Sequence, residues 1–119
     1  MTTSTISPPE RRQIALDFLA ASDHEFEIGD VLQGAEKLWG AAAHAIMAVA
    51  QEREWPYQNH RSLKNAAIKL ATEREDPLIE AHFAVAEKCH IYFYHGIMEE
   101  WELDADRRLA RDFVLRVLR

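Results

Sequence analysis

The feature that most constrains the fold of this chain is the recurrence of apolar side chains at every third or fourth position, interrupted by short segments that start or stop helices. Such spacing places apolar side chains on one face of an α-helix. Ser7-Pro8 and Asp76-Pro77 each put a capping residue before a proline, while Gly29 and Gly96 suit helix ends. The pattern predicts five helices and no strand: residues 8 to about 28, about 31–52, about 60–74, 77 to about 95, and from about 104 onward.

The composition agrees with a single helical domain. The chain has 119 residues, of which 48% are hydrophobic, and it contains only four glycines and four prolines. A chain of this size forms one core, and this composition does not fit a disordered, fibrous or loop-rich β-protein. We therefore expect one domain over residues 1–119, an all-α bundle of five helices with an antiparallel up-down core. Residues 1–6 are expected to form a disordered tail.

Charge and cysteine content limit the partners and the location. The net charge of −6 repels phosphate backbones, so RNA binding is disfavoured, although the arginine-rich stretch from Asp104 to Arg119 leaves it open. The single cysteine excludes an internal disulfide, and the first residues lack the order of a secretory signal. No apolar run approaches the ~20 residues that span a bilayer. We expect a cytoplasmic protein without membrane contact.

One face of the second helix is polar and offers candidate ligand-binding residues. Lys37 and His44 lie on this face, and His60-Arg61 begins the third helix. If the two helices line one groove, these side chains and the free amides at the start of the third helix suit a small anionic group such as phosphate or carboxylate. The alternative is an ordinary solvated helix face.

The fourth helix carries two histidines, His82 and His90, that we expect to be partly buried and structural. A buried imidazole needs a carboxylate, hydroxyl or water as its partner. A metal site formed by these histidines and Cys89 is disfavoured, because side chains one and seven residues apart do not converge on a helix, so we predict no metal and no other cofactor. The predicted inner arcs are Leu78, His82, Ala86, Cys89 and Phe93 in the fourth helix, and Leu109, Phe113, Val114 and Val117 in the fifth.

Arg53 and His60 suggest an alternative, catalytic function. Their spacing matches that of one class of helical ribonucleases, in which the histidine acts in acid–base chemistry and the arginine holds the phosphate. Pro56 lies between them and prevents the regular helix that would direct both side chains at one point. The hypothesis therefore requires the two residues to act across a dimer interface.

Three stretches of the sequence resemble a known family of small helical proteins. The first contains Gly29-Asp30, Gln33 and the run from Glu36 to Ala42; the second begins at His60-Arg61; and the third runs from His90 to Gly96. They resemble the PaREP-type family, in the wider HEPN-like superfamily, with Cys89 and Tyr92 standing where that family usually has leucine and asparagine. The resemblance implies a helical fold and superfamily relatives that are metal-independent ribonucleases or partners of small nucleotidyltransferases, generally as dimers. The resemblance implies no activity for the PaREP-type family itself.

From these observations we expect a non-enzymatic binding or assembly module in preference to an enzyme. Its ligand would be a small anionic molecule, a nucleotide-related partner or a partner protein, and the alternative is the ribonuclease that uses Arg53 and His60. We also expect a homodimer, with Met98 and Trp101 placed in the link before the fifth helix. The apolar side chains available for this contact are Trp55, Met98, Trp101, Leu115 and Leu118.

Overall fold

The computed structural model describes residues 5–119, and this part of the chain contains five α-helices. They are α1 (Pro8–Glu27), α2 (Val31–Glu52), α3 (His60–Arg74), α4 (Pro77–His95) and α5 (Glu100–Val117). Because no strand occurs among the described residues, the predicted all-α five-helix bundle is confirmed. Of the predicted disordered tail, residues 1–4 lie outside the described residues, and residues 5 and 6 precede α1 without regular secondary structure.

The first four helices begin at side chains that accept hydrogen bonds from backbone amides of the first turn. Ser7 forms a capping box with Glu10 at the start of α1, and Asp30, Asn59 and Asp76 cap the next three helices. At the end of α4, Gly96 adopts the left-handed conformation, with φ of 66°. These caps explain why the observed boundaries of α2, α3 and α4 agree with the predicted ones.

The short turn after α1 folds α1 and α2 into an antiparallel hairpin in which small residues permit close packing. A Cβ atom on Gly34 would lie 2.8 Å from the ring of Phe26, so this ring occupies the space that a side chain would need. The buried Ser22 hydroxyl donates a 2.7 Å hydrogen bond to the carbonyl oxygen of Gly34. The absence of a side chain at this position therefore sets the distance between the two helices.

α2 is the central helix of the bundle and contacts each of the other four helices. More than half of its residues are buried. Leu38 and Ile46 of α2 are fully buried, and the core continues into α3, α4 and α5 through large apolar side chains, among them Leu70, Ile79, Phe83 and Phe113. Within residues 5–119, no helix combines the length and the apolar character needed to cross a bilayer.

The predicted start of α5 at Asp104 is wrong. The helix begins at Glu100, so Trp101 lies in the helix and not in the link before it. No side chain caps this start, and the sequence therefore lacks the signal that marks the other four helices. Acidic residues in the first turn favour the helix instead, because they interact with the positive end of its dipole.

Two leucines that were predicted on inner arcs are exposed. Leu78 in α4 and Leu109 in α5 both face solvent, while the neighbouring Ile79 and Ala110 are fully buried. Other residues of the predicted arcs, such as Cys89 and Phe113, are fully buried, so only the edge of each arc differs from the prediction. The physical reason is that contacts with α2, which the sequence does not show, select the buried face.

Candidate functional site

Aromatic and carboxylate side chains from three helices meet where the first turns of α2, the start of α3 and the last turns of α4 come together. We call this group the His60–His90 cluster. Its members are Glu36 and Trp39 of α2, His60 of α3, and Glu87, His90 and Tyr94 of α4. Each of the three stretches that carry the family resemblance contributes to the cluster, although they are distant in sequence.

The buried indole of Trp39 supports the two imidazole rings. The His60 ring is stacked on this indole with 5.1 Å between centroids, and the His90 ring lies 5.7 Å from it. The two imidazoles are 5.4 Å apart. Phe83 contacts the indole edge to face at 5.8 Å, which ties the cluster to the core. The positions of both histidines are therefore fixed by packing.

A carboxylate orients the ring of His90. Nδ1 of His90 lies 3.0 and 2.9 Å from the two carboxylate oxygens of Glu36. Because an ionised carboxylate only accepts hydrogen bonds, Nδ1 must carry the proton and donate. This leaves Nε2 of His90 as the ring nitrogen that a ligand can contact.

His60 is the more accessible of the two imidazoles. It is the first residue of α3, its Nδ1 lies 3.5 Å from Oε2 of Glu87, and its side chain is 54% exposed. Arg61 follows it in the first turn and is exposed. Asn59 uses its side chain and its carbonyl oxygen to accept from the amides of Ser62 and Leu63. The exposed Arg61 thus follows His60 directly in the chain, while Asn59 already accepts from two of the first amides of α3.

Tyr94 forms the outer edge of the cluster. Its ring meets the His90 ring edge to face at 5.0 Å, and the residue is 70% exposed. The exposed rings of His60 and Tyr94 both adjoin His90 and offer a surface on which a planar ligand can stack. Within residues 5–119, no group of three or more histidine, cysteine, aspartate or glutamate side chains has an arrangement that could hold a metal ion.

The structure does not bring the four predicted ligand-binding residues into one groove. Lys37 forms a 2.9 Å salt bridge with Glu25 of α1, and His44 faces α1 as well. At 100° per residue, these positions lie about 160° and 140° around α2 from Trp39, which contacts His60. Lys37 and His44 therefore contact α1, while His60 and Arg61 lie at the start of α3.

His44 is enclosed in the α1–α2 interface. Nη1 of Arg11 lies 3.2 Å from Nδ1 of His44, and the His44 ring is stacked on Phe18 at 5.6 Å. Burial, assisted by the charge of Arg11, lowers the pKa of His44 below its usual 6.5. The ring is thus held in its neutral form as an acceptor for Arg11.

Arg53 and His60 do not meet within one copy of the chain. The Arg53 guanidinium forms a two-point salt bridge with Glu73, with distances of 2.8 and 2.7 Å. Glu73 lies near the end of α3 and His60 at its start, which separates them by about 20 Å along the helix axis. Arg53 also lies over the ring of Trp55. A shared site for the two residues therefore requires the second copy that the ribonuclease hypothesis invokes.

The remaining polar residues of α4 have partners inside the bundle. Nδ1 of His82 lies 2.8 Å from Oδ2 of Asp112, and the pKa of this aspartate is held below its usual range by Arg116 first and by His82 second. The Cys89 side chain is fully buried, and burial raises the pKa of its thiol to about 12. An unionised, inaccessible thiol is a poor nucleophile.

Sequence reasoning did not identify Glu36, Trp39, Glu87 and Tyr94 as site residues. One signal for three of them was present, because Glu36, Trp39 and Tyr94 lie within the stretches that resemble the PaREP-type family. Their convergence depends on how α2, α3 and α4 pack together, and helical periodicity within a single segment carries no such information.

Comparisons with known proteins identify a structure with the same fold and the family of this chain. A crystal structure of a protein from Sulfolobus solfataricus has the same fold, with a TM-score of 0.77 and 19% sequence identity, over 98% of this chain and 96% of that chain. No curated protein matches the chain. The model of the archaeal PaREP1/PaREP8 family matches residues 10–114, which confirms the resemblance to the PaREP-type family. The chain therefore belongs to the archaeal PaREP1/PaREP8 family.

Proposed function

We propose that this protein is a non-enzymatic binding module whose His60–His90 cluster holds a small anionic ligand with a planar ring, such as a nucleotide. The observation that carries the proposal is the pair of exposed rings, His60 and Tyr94, that adjoin His90 above the buried Trp39. A base stacked on an aromatic side chain contributes ~1–3 kcal/mol to binding. Because the rings of His60 and His90 are already packed on Trp39, little of their conformational entropy is lost when the ligand binds.

The preference for an anion comes from the start of α3. Arg61 is exposed and follows His60 in the first turn of α3, and its charge and the positive end of the α3 dipole both attract anions. The carboxylates of Glu36 and Glu87 contact the imidazoles of His90 and His60. They do not form salt bridges with Arg61, whose charge can therefore interact with a ligand. A nucleotide would place its base on the rings and its phosphate toward Arg61.

Binding is favoured over RNA cleavage because Arg53 is engaged elsewhere. A ribonuclease that uses Arg53 and His60 would have to break the two-point salt bridge to Glu73, and the net charge of −6 opposes approach of RNA. We retain the HEPN-like relationship as part of the proposal, supported by the three resembling stretches. We also propose the cytoplasm as the location, since a single free thiol suits a reducing compartment.

The test is a titration of the isotope-labelled protein with adenosine monophosphate, adenosine and inorganic phosphate, followed by NMR of the histidine and tyrosine rings. We expect the nucleotide to shift the His60 and Tyr94 signals in a saturable manner and to bind more tightly than phosphate alone. Tyr94→Ala should weaken binding by about tenfold, the loss of one stacking contact. Arg61→Gln should weaken the binding of the nucleotide and leave the affinity for adenosine unchanged.

His24→Ala is the matched control, because His24 is an exposed histidine on α1 that is not part of the cluster. This variant should bind as the natural sequence does. Nucleotide affinity that is unchanged in His60→Ala and Tyr94→Ala would contradict the proposed site. RNA cleavage that is lost in His60→Ala and in Arg53→Ala would establish the ribonuclease in its place.

A further inference from the structure

A small recess lies between the loop that follows α2 and one face of α3. Its volume is about 80 Å³. At 100° per residue, Lys69 in this recess lies about 180° around α3 from His60, so the recess is separate from the His60–His90 cluster. The lining residues are Trp55, Pro56, Ser62, Asn65, Ala66 and Lys69.

The lining divides into an apolar part and a polar part. Trp55, Pro56 and the fully buried Ala66 supply the apolar surface. Ser62, Asn65 and Lys69, spaced three and four residues apart along α3, supply a hydroxyl, an amide and an ammonium group. Within residues 5–119, none of these three side chains forms a hydrogen bond or a salt bridge. The recess therefore combines unpartnered donors with apolar surface.

The charge of Lys69 is free because its natural partner is engaged. Glu73 lies one turn further along α3, the spacing at which a lysine and a glutamate pair. Both oxygens of Glu73 accept hydrogen bonds from Arg53, at 2.8 and 2.7 Å. Nζ of Lys69 lies instead 5.5 Å from the centroid of the Trp55 ring. An acidic chain thus keeps one ammonium group without a carboxylate at the edge of a recess.

We propose that this recess binds the carboxylate group of an aliphatic acid, with its oxygens toward Asn65 and Lys69 and its aliphatic carbon against Trp55. An ionised carboxylate only accepts hydrogen bonds, which matches a lining whose free polar groups include three kinds of donor. The aliphatic carbon matches the apolar part of the lining.

The size of the recess limits the ligand. A volume of about 80 Å³ corresponds to two or three water molecules, at ~30 Å³ each. This space suits one carboxylate and the carbon that carries it. It excludes a nucleotide, since pockets for ligands of that size measure ~300 Å³ or more. The acid is either a free small molecule or an acidic side chain of another protein, and both present the same group.

The test is a titration of the isotope-labelled protein with sodium propionate at constant ionic strength, followed by NMR of the Trp55 indole and the Asn65 side-chain amide. We expect saturable shifts with a dissociation constant of about 10 mM or below, which a ligand of this size can reach. Propionamide has the same shape without the charge and should give no saturable shift.

Two exposed lysines of α3 provide a matched pair of variants. Lys69→Gln should raise the dissociation constant of propionate at least fivefold. Lys64→Gln removes the same charge outside the recess and should leave the constant unchanged. Arg53→Gln should also weaken binding, because it releases Glu73 to pair with Lys69, although Arg53 does not line the recess.

A capped glycine-glutamate-glycine peptide distinguishes the two sources of the carboxylate. Tighter binding of the peptide than of propionate would identify an acidic side chain as the ligand, and binding no tighter than that of propionate would identify a free acid. The absence of saturable shifts with both compounds, equal shifts with propionamide, or an unchanged affinity in Lys69→Gln would overturn the proposal. The titration contains no nucleotide, so its outcome is independent of binding at the His60–His90 cluster.

Discussion

The α1–α2 interface and the His60–His90 cluster use the same types of residue with opposite results. In the interface, the His44 ring is stacked on Phe18, and its Nδ1 accepts a hydrogen bond from Arg11. In the cluster, His60 and Tyr94 keep much of their surface exposed. Residue type alone therefore does not separate a structural histidine from one that can meet a ligand. The difference lies in what the neighbouring helix covers.

The largest expected effect comes from truncation in the interior of the hairpin. Leu38→Ala removes a fully buried side chain of α2 and should lower the free energy of unfolding by about 2–5 kcal/mol. Tyr94→Ala removes a larger but exposed side chain and should change it by about 0.5 kcal/mol or less. Urea denaturation followed by circular dichroism measures both values. A comparable loss in the two variants would show that the cluster is part of the core.

The next effect concerns the two glycines of α2 that face α1. A Cβ at position 34 would lie 2.8 Å from the Phe26 ring, whereas one at position 40 would lie 3.3 Å from the Phe18 ring. Alanine gains about 1 kcal/mol of helix propensity at either position, and overpacking costs about 1–3 kcal/mol where the ring must move. Gly34→Ala should therefore be less stable than Gly40→Ala by about 1 kcal/mol. Equal stability in thermal unfolding would show that Phe26 moves freely.

The smallest effect is the pH dependence that His44 adds. Its pKa is lowered in the folded state, so the unfolded chain binds the proton more readily. The contribution of His44 to the free energy of unfolding is therefore fully present above pH 6.5. It is lost as the pH falls from 6.5 through the lower pKa of the folded state. The slope cannot exceed the ~1.4 kcal/mol per pH unit that one full proton would give. His44→Gln should lose this part of the slope between pH 7.5 and 5.5, as measured by urea denaturation.

An NMR titration of the His44 ring checks the same prediction directly. Its midpoint should lie below 6.5, in agreement with an imidazole that is buried beside a guanidinium. A midpoint at or above 6.5 would mean that the hairpin leaves His44 open to water. The contrast between the interface and the cluster would then no longer hold.

Local sequence signals were enough to predict most of the fold. Helix boundaries followed from chemistry within a few residues, such as Ser7 with Pro8 or Asp76 with Pro77, and these interactions form irrespective of the rest of the chain. The start of α5 was missed because no capping side chain marks it. The exposed Leu78 and Leu109 were misplaced because the edge of a buried arc depends on how the partner helix packs.

The candidate site was less accessible to prediction for the same reason. Sequence periodicity identified a polar face on α2 that contains Lys37 and His44, and the structure shows that α1 covers this face. Periodicity gave no indication that Trp39 would contact the rings of both His60 and His90, since these contacts join residues from three helices. The family resemblance was the better guide, because its three stretches meet at this point.

The buried thiol of Cys89 is a natural probe for local opening of α4. An alkylating reagent can reach this sulfur only when α4 separates from its neighbours, and the high pKa suppresses reaction until then. The ratio of the labelling rate in native buffer to that of the unfolded chain therefore gives the free energy of this opening. Because the chain has one cysteine, mass spectrometry reads that value without any engineered label.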